Sequence, residues 1–163
     1  MSNTFKIYYV SLSGNTKNFM KRMGDYLLET EGIILEAVNV KRLRKEYFVM
    51  NEPFATFLPA YLEGGNGIDT GSKEILTTEL REFLNFENNY QYCYGIVGSG
   101  NRNFNKQFCL TAHQYSECFG FPLLDKFELR GTPEDVKRIA TLLVAQKAEF
   151  EFKLEANKNQ RSY

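Results

Sequence analysis

Short apolar runs along the chain alternate with segments in which apolar residues recur every three or four positions. The runs are rich in aromatic and β-branched side chains and predict five strands, over residues 5–10, 33–40, 53–58, 92–97 and 123–129. The segments with helical spacing predict four helices, over residues 16–30, from Ser72 to about Leu84, over 104–118, and from Thr132 onward. Each run is apolar nearly throughout, which is typical of a parallel sheet covered by helices on both faces. The pattern therefore predicts a doubly wound α/β fold with an irregular connection after the second strand.

Glycine, proline and threonine mark the ends of several predicted elements. Gly32 follows the first helix as a stop signal, and Thr132 caps the last helix with Pro133 at its first position. Pro53 has no N–H to donate to a neighbouring strand, so it belongs at the start of the third strand. The polar stretch after Leu154 is expected to fray. The chain is therefore interpreted as a single domain over residues 1–154 with a polar end over 155–163.

The chain has 163 residues, which is the length of one domain. Its 20 basic and 20 acidic side chains cancel, so it has no overall field with which to hold nucleic acid or an anionic membrane surface. One local basic cluster is either a solvated face or a docking patch; it consists of Lys41, Arg42, Arg44 and Lys45. No apolar run approaches 18 residues and no signal peptide is apparent, so we expect a cytoplasmic protein.

Residues that commonly form metal sites or catalytic triads are few. Cys93, Cys109 and Cys118 have no zinc-binding spacing, even with the single histidine His113, and are interpreted as structural residues. Unpaired thiols are also typical of the cytosol. The sequence marks no serine–histidine–aspartate arrangement and no paired carboxylates at strand ends. We therefore expect neither a metal bound to this chain nor a catalytic side chain.

Polar and glycine-containing loops follow the first, third and fourth strands, where the binding crevice of an open parallel sheet lies. The first loop leads into the first helix and consists of Ser11, Leu12, Ser13, Gly14, Asn15 and Thr16. Its hydroxyls and the amides of the helix N-terminus can surround a phosphate without any lysine. Because no Lys-Ser or Lys-Thr pair has the Walker spacing, a monophosphate fits better than a nucleoside triphosphate. An ordinary strand-to-helix turn is the alternative interpretation.

The second and third loops combine glycine with aromatic and amide side chains. The second contains Ala60, Tyr61, Leu62, Glu63 and Gly64, and the third contains Ser99, Gly100, Asn101, Asn103 and Phe104. Glycine lets backbone amides approach a flat ligand, an aromatic ring covers its face or edge, and amides contact its polar edge. Each loop alone is also consistent with a plain turn. Three such loops at successive strand ends predict a flavin mononucleotide (FMN) pocket of the flavodoxin type, in which the flavin carries the redox chemistry.

Three strings of residues narrow this prediction: Gly98 to Phe104, Gly120 to Leu124, and Phe127 to Thr132. Together with the first two loops, they resemble the NrdI family, the flavodoxin-like proteins of class Ib ribonucleotide reductase, over about residues 5–140. The resemblance implies the strand order 2-1-3-4-5 and a tightly bound FMN. It also implies a phosphate held by Ser11, Ser13, Gly14, Asn15 and Thr16, and a ring framed by Tyr61, Gly64, Ser99, Gly100, Asn101, Asn103 and Phe104.

The resemblance further implies a role in activating the manganese form of the small reductase subunit. In that family the reduced flavin reacts with dioxygen, and superoxide travels to the partner's dimanganese site, where it supports formation of the tyrosyl radical. The metal then belongs to the partner. Since 163 residues leave no room for a nicotinamide-reductase domain, we expect the electrons to come from another protein.

Two other functions are compatible with parts of this pattern. A flavodoxin that only carries electrons would have the same fold, although such carriers generally rely on a strongly acidic face and this chain is neutral. A flavin-free receiver domain would need an acidic cluster at the strand ends, where this chain has Ser11 and Pro59-Ala60.

The chain departs from the family pattern at two positions. Leu62 and Glu63 precede Gly64 where a glycine run is common, and a charge from Glu63 near the ring would disfavour an anionic reduced flavin. Asn105 stands where a glycine is common, but asparagine tolerates left-handed backbone. We expect both departures to affect the reduction potential of the flavin more than the fold.

Overall fold

The computed structural model describes residues 3–11, 14–59, 78–100, 110–128 and 130–161. The strands are β1 (Thr4–Tyr9), β2 (Ile34–Asn39), β3 (Phe54–Pro59), β4 (Cys93–Gly100) and β5 (Leu123–Glu128). The α-helices are α1 (Asn15–Glu31), α2 (Thr78–Asn85), α3 (Leu110–Phe119) and α4 (Pro133–Arg161). Two short 3₁₀ helices, Val40–Leu43 and Phe86–Tyr92, lie before β3 and before β4. The predicted helix starts at Ser72 and at residue 104 lie outside the described residues.

The five strands form a parallel sheet in the order β2-β1-β3-β4-β5. The chain moves outward from β1 to β2 and then returns to pair β3 with the opposite side of β1. The strand order therefore reverses between β1 and β3, and this reversal is where open α/β sheets form their binding crevice. The predicted doubly wound fold and its strand order are confirmed.

Two apolar layers cover the sheet, as the continuous apolar strands required. On one face, α1 and α4 pack over side chains such as Ile7 and Phe57; Phe19 of α1 stacks on Phe127 with 4.1 Å between ring centroids. On the other face, α2 and α3 pack over alternate strand residues, including Tyr8, Leu58 and Ile96. Adjacent residues of β1, such as Ile7 and Tyr8, thus enter different layers because strand side chains alternate.

The helix ends follow their sequence signals. Gly32 ends α1 in the left-handed conformation (φ 66°), as predicted from its position. At the start of α4, Thr132 Oγ1 accepts from the Asp135 N–H at 3.0 Å, while Asp135 Oδ2 accepts from the Thr132 N–H at 2.8 Å. This reciprocal cap confirms Thr132 as the N-cap. The helix continues past Leu154 to Arg161, and the division of the chain at residue 154 stays a prediction.

The irregular connection between β2 and β3 is held by one buried side chain from another part of the chain. Asn89 is 1% exposed; its Nδ2 donates to the carbonyls of Phe48 (2.9 Å) and Phe83 (3.0 Å). Its Oδ1 accepts from the Met50 N–H at 2.7 Å. Because a segment without ladder hydrogen bonds must satisfy its backbone elsewhere, Asn89 fixes the path of residues 48–50 against α2.

Replacement of Asn89 by aspartate is expected to destabilise the fold strongly. An ionised carboxylate cannot donate, so the buried Phe83 carbonyl and the partly buried Phe48 carbonyl lose their donor and a charge is buried, which costs about 2–4 kcal/mol of unfolding free energy. Urea denaturation of Asn89→Asp measures this loss. Asn88→Asp is the matched control because Asn88 is exposed and left-handed (φ 59°), a conformation that aspartate tolerates. Equal stability of the two variants would contradict the role assigned to Asn89.

Candidate functional site

The three predicted loops leave three neighbouring strands at one edge of the sheet. Tyr9 of β1 pairs with Phe57 of β3, and Pro59 of β3 pairs with Ser99 of β4. Since parallel strands all point the same way, residues that follow β1, β3 and β4 emerge side by side. The structure therefore brings to this edge the described members of the predicted site, namely Ser11, Gly14, Asn15, Thr16, Ser99 and Gly100. The other predicted members lie outside the described residues: Leu12, Ser13, Ala60, Tyr61, Leu62, Glu63, Gly64, Asn101, Asn103 and Phe104.

The amino end of α1 has the features of an anion cradle. Gly14 adopts a left-handed conformation (φ 88°, ψ −7°) as the N-cap, and no side chain caps the helix from that position. Instead, Ser11 Oγ accepts from the Lys17 N–H at 3.2 Å, six residues along the chain. The first turn of α1 carries no acidic residue that would compete for the positive end of the helix dipole. Backbone N–H groups and a hydroxyl thus converge where the sequence predicted a phosphate.

Two hydroxyl side chains are buried at the same edge. Thr16 in the first turn of α1 is 2% exposed, and Ser99 near the end of β4 is 4% exposed. Thr111 of α3 is also buried, and its Oγ1 has no hydrogen-bond partner among the described residues. Sequence reasoning missed Thr111 because a threonine inside a helical pattern carries no distinct signal. Within the described ranges, Thr111 is therefore a buried polar group near the start of α3.

A second set of contacts fixes the position of α1. The Arg22 guanidinium donates to the backbone carbonyls of Arg130 and, at 3.1 Å, Gly131, and its Nε donates to Asn18 Oδ1 at 2.9 Å. Gly131 has a positive φ of 76°, and a Cβ there would come within 2.9 Å of the Phe19 ring. The turn before α4 therefore sits against α1 and locates its amino end.

The thiols and the histidine do not form a reactive centre in the described part of the chain. Cys93 is buried and donates to the Gly95 carbonyl at 3.3 Å, and burial raises the pKa of its thiol to about 12. His113 Nε2 lies 3.0 Å from Glu117 Oε1 on the exposed face of α3. Cys118 is exposed, and Cys109 lies outside the described residues. No three His, Cys, Asp or Glu side chains converge as a metal site within the ranges described.

Burial also raises the pKa of the Tyr9 phenol at the end of β1, while the positive charge of Arg42 opposes that rise. Among the described helices, none is both long and apolar enough to cross a bilayer.

The fold and its cradle define the chain as flavodoxin-like. The family model described as "NrdI Flavodoxin like" matches residues 7–141. The chain belongs to this NrdI flavodoxin-like family.

Individual relatives agree with the family match. An NrdI-like protein of Streptococcus pneumoniae is 51% identical over 144 residues, covering 86% of this chain and 92% of the relative. Protein NrdI of Bartonella tribocorum is 34% identical over 130 residues, which cover 80% of this chain and 86% of the relative.

Solved structures show the same fold at low sequence identity. A flavodoxin from the domain Archaea matches with a TM-score of 0.58 and 13% identity, covering 91% of this chain and 99% of that one. A response regulator from Colwellia psychrerythraea matches with a TM-score of 0.52 and 12% identity, covering 89% of this chain and 98% of that one. Because both classes share the architecture, the fold alone does not separate a flavoprotein from a receiver domain. The family match makes that distinction.

FMN is the cofactor of the NrdI and flavodoxin families. The described residues fit its phosphate end, since the amino end of α1, a left-handed glycine and buried hydroxyls meet at one sheet edge. The roles of individual residues toward phosphate and ring stay predictions.

Replacement of Gly14 by alanine is expected to weaken FMN binding. A Cβ at Gly14 meets no atom within 4 Å, so the cost arises from the left-handed backbone, about 1–2 kcal/mol. Relief of this strain would turn the first N–H groups of α1 away from the phosphate, which we expect to raise the FMN dissociation constant roughly tenfold. Fluorescence titration of the flavin measures this constant.

Gly32→Ala is the matched control for this variant. Gly32 has a similar φ of 66° and equally open space, but it ends α1 at the far side of the helix. Both variants should lose comparable stability, and only Gly14→Ala should lose FMN affinity. A similar loss of affinity in Gly32→Ala would mean that general destabilisation explains the effect.

Proposed function

We propose that this chain is a cytoplasmic FMN protein of class Ib ribonucleotide reductase that, when reduced, transfers electrons to dioxygen. The superoxide so formed serves to assemble the dimanganese–tyrosyl radical cofactor of the small reductase subunit. The observation that carries the proposal is the NrdI family match over residues 7–141. The electrons come from a separate donor protein.

The chain's own contribution is to bind and orient the cofactor. We assign Ser11, Ser13, Gly14, Asn15 and Thr16 to the phosphate, where α1 supplies N–H groups and the positive end of its dipole. We assign residues of the second and third loops to the ring. When bound, FMN supplies one-electron transfer to dioxygen. The described part of the site contributes hydroxyl side chains and the backbone N–H groups of α1 at this sheet edge.

The electron carrier is the competing function. The structural similarity to flavodoxins shows only the fold, and it is compatible with both functions. A carrier would pass electrons to an acceptor protein, react slowly with dioxygen and leave the small reductase subunit without a radical.

Radical formation in the manganese-loaded small subunit tests the proposal. Reduced, FMN-loaded protein mixed with that subunit and dioxygen should give the electron paramagnetic resonance signal of a tyrosyl radical. Omission of dioxygen, of this chain or of its FMN should abolish the signal, because each is needed to form the oxidant. The proposal fails if no radical appears with a subunit that another NrdI protein activates.

Neutralising Glu63 should make the bound flavin easier to reduce. A negative charge in the second loop disfavours an anionic reduced ring, so Glu63→Gln should raise the reduction potential, by roughly 1 kcal/mol or a few tens of millivolts for one electron. Spectroscopic redox titration measures the potential. Glu87→Gln is the control, because Glu87 is exposed and precedes β4, at the opposite edge of the sheet. An unchanged potential in Glu63→Gln would place the Glu63 charge away from the ring.

A further inference from the structure

The basic cluster of the sequence lies directly beyond the carboxyl end of β2. Asn39, the last residue of β2, pairs with Tyr9 at the end of β1, and the 3₁₀ helix Val40–Leu43 begins at the next residue. β1 in turn leads into the first loop of the candidate site. The basic turn, defined here as residues 41–45, therefore stands at the same sheet edge as the flavin site, one strand away.

The four cations of the basic turn have two different environments. Lys41 Nζ lies 3.2 Å from Glu79 Oε2, and Lys45 Nζ lies 3.6 Å from Glu82 Oε1, so both lysines fasten the turn to α2. Arg42 and Arg44 are exposed and form no ion pair with a residue in the described ranges. The lysines thus hold the turn in place while the arginines remain available to a partner.

The backbone of the basic turn is strained. Arg44 and Lys45 are consecutive non-glycine residues with positive φ, 51° and 64°, and the Glu46 N–H closes the turn by donating to the Leu43 carbonyl at 2.9 Å. Glycine or asparagine would adopt this conformation at lower cost. Strained backbone that the surrounding contacts hold in place is a physical indication of a binding or functional segment.

Apolar side chains adjoin these arginines along the chain. Phe48 is 41% exposed and Val49 is 60% exposed, and the Phe48 ring meets Phe83 edge-on with 5.6 Å between centroids. Glu46 is the one carboxylate among residues 41–49. Exposed arginine and aromatic side chains together are typical of protein interfaces. Nucleic-acid binding would need a longer basic stripe than two arginines on a chain of zero net charge.

We propose that Arg42 and Arg44 dock an acidic surface of the protein that receives the oxidant, with Phe48 and Val49 packed against apolar side chains of the same partner. The identity of that partner, the small reductase subunit, rests on the proposed function. Transient electron-transfer contacts are small, whereas a reactive product that must reach its target needs an interface that stays closed beside its source. Exposed apolar side chains within a few residues of the arginines along the chain suit the longer-lived of these two complexes.

Charge reversal of the basic turn tests this surface. The dissociation constant of the FMN-loaded chain for the manganese-loaded small subunit is measured at low and at physiological salt. The double variant Arg42→Glu/Arg44→Glu should bind at least about tenfold more weakly at low salt, because opposite charges become like charges at the interface. Its affinity should also depend less on salt than that of the unaltered chain.

Lys137→Glu/Lys153→Glu is the matched control. It changes the net charge by the same amount, on α4, which lies on the opposite face of the sheet from α2 and the basic turn. The control should bind within about twofold of the unaltered chain. An equal loss in both double variants would indicate a general charge effect and overturn the proposal.

Single substitutions at Arg44 separate docking from folding. Arg44→Asn removes the charge but suits the left-handed backbone, so thermal stability should be unchanged or higher while affinity falls. Arg44→Lys keeps the charge and should retain most of the affinity. A purely structural role of Arg44 would leave the affinity of both variants at the level of the unaltered chain.

The outcomes also separate this proposal from the proposed function. If the unaltered chain binds the subunit but yields no radical, the proposed function fails and the docking surface stands. If Arg42→Glu/Arg44→Glu binds like the unaltered chain, or if the unaltered chain does not bind, the docking proposal is overturned. The alternative is that the electron-donor protein binds the basic turn. In that case Arg42→Glu/Arg44→Glu would be reduced more slowly by the donor while its affinity for the subunit stayed unchanged, and this result would also overturn the docking proposal.

Discussion

The parallel pairing of β1 with β3 is the constraint on which the rest of the structure depends. Tyr9 pairs with Phe57, and the Val10 N–H continues the ladder by donating to the Phe57 carbonyl at 3.2 Å. This pairing joins two strands that are separated in the chain by α1, β2 and the irregular connection. Because it reverses the direction in which strands are added, it opens the crevice between the loops that follow β1 and β3. A shift by one residue would move every β1 side chain to the opposite face, so that Ile7 and Tyr8 would exchange the helix layers into which they pack.

The same pairing explains how polar groups can be placed accurately without charged side chains. Phe19 of α1 lies between rings from two strands, 5.8 Å from Phe57 and 4.1 Å from Phe127 by centroid. Gly131 presses on Phe19, and Arg22 ties the same helix to that turn. Since close-packed aromatic layers resist displacement, the amino end of α1 is held at a fixed distance from the strand ends. A phosphate cradle of backbone N–H groups depends on this rigidity, because backbone groups cannot reach toward a ligand as lysine does.

The strands were predictable from the sequence because burial on both faces leaves a continuous apolar run, and their observed bounds differ from the predicted ones by a few residues at most. Gly32 and Thr132 were predictable because their conformations depend on local chemistry. The path of residues 46–53 was not predictable from the sequence, because it depends on a hydrogen bond between Met50 and Asn89, which are 39 residues apart. The left-handed Arg44 and Lys45 were also missed, because neither arginine nor lysine favours that conformation on its own. For the site, the topological rule predicted the shared edge, whereas the burial of Thr16 and Ser99 depends on tertiary packing.

The neutral charge of the chain conceals an uneven distribution that bears on the order of events at the flavin. Lys6 is neutralised locally, with Nζ 3.1 Å from Glu36 and 3.0 Å from Glu52, whereas the basic turn leaves its arginines exposed beside the flavin site. A local field of this kind acts within about 8 Å at physiological ionic strength, so it orients a partner at contact rather than attracting it from afar. Under the proposed function, one sheet edge must both admit electrons and release the oxidant. If a subunit seated on the basic turn extends over that edge, reduction by the donor has to precede docking of the subunit.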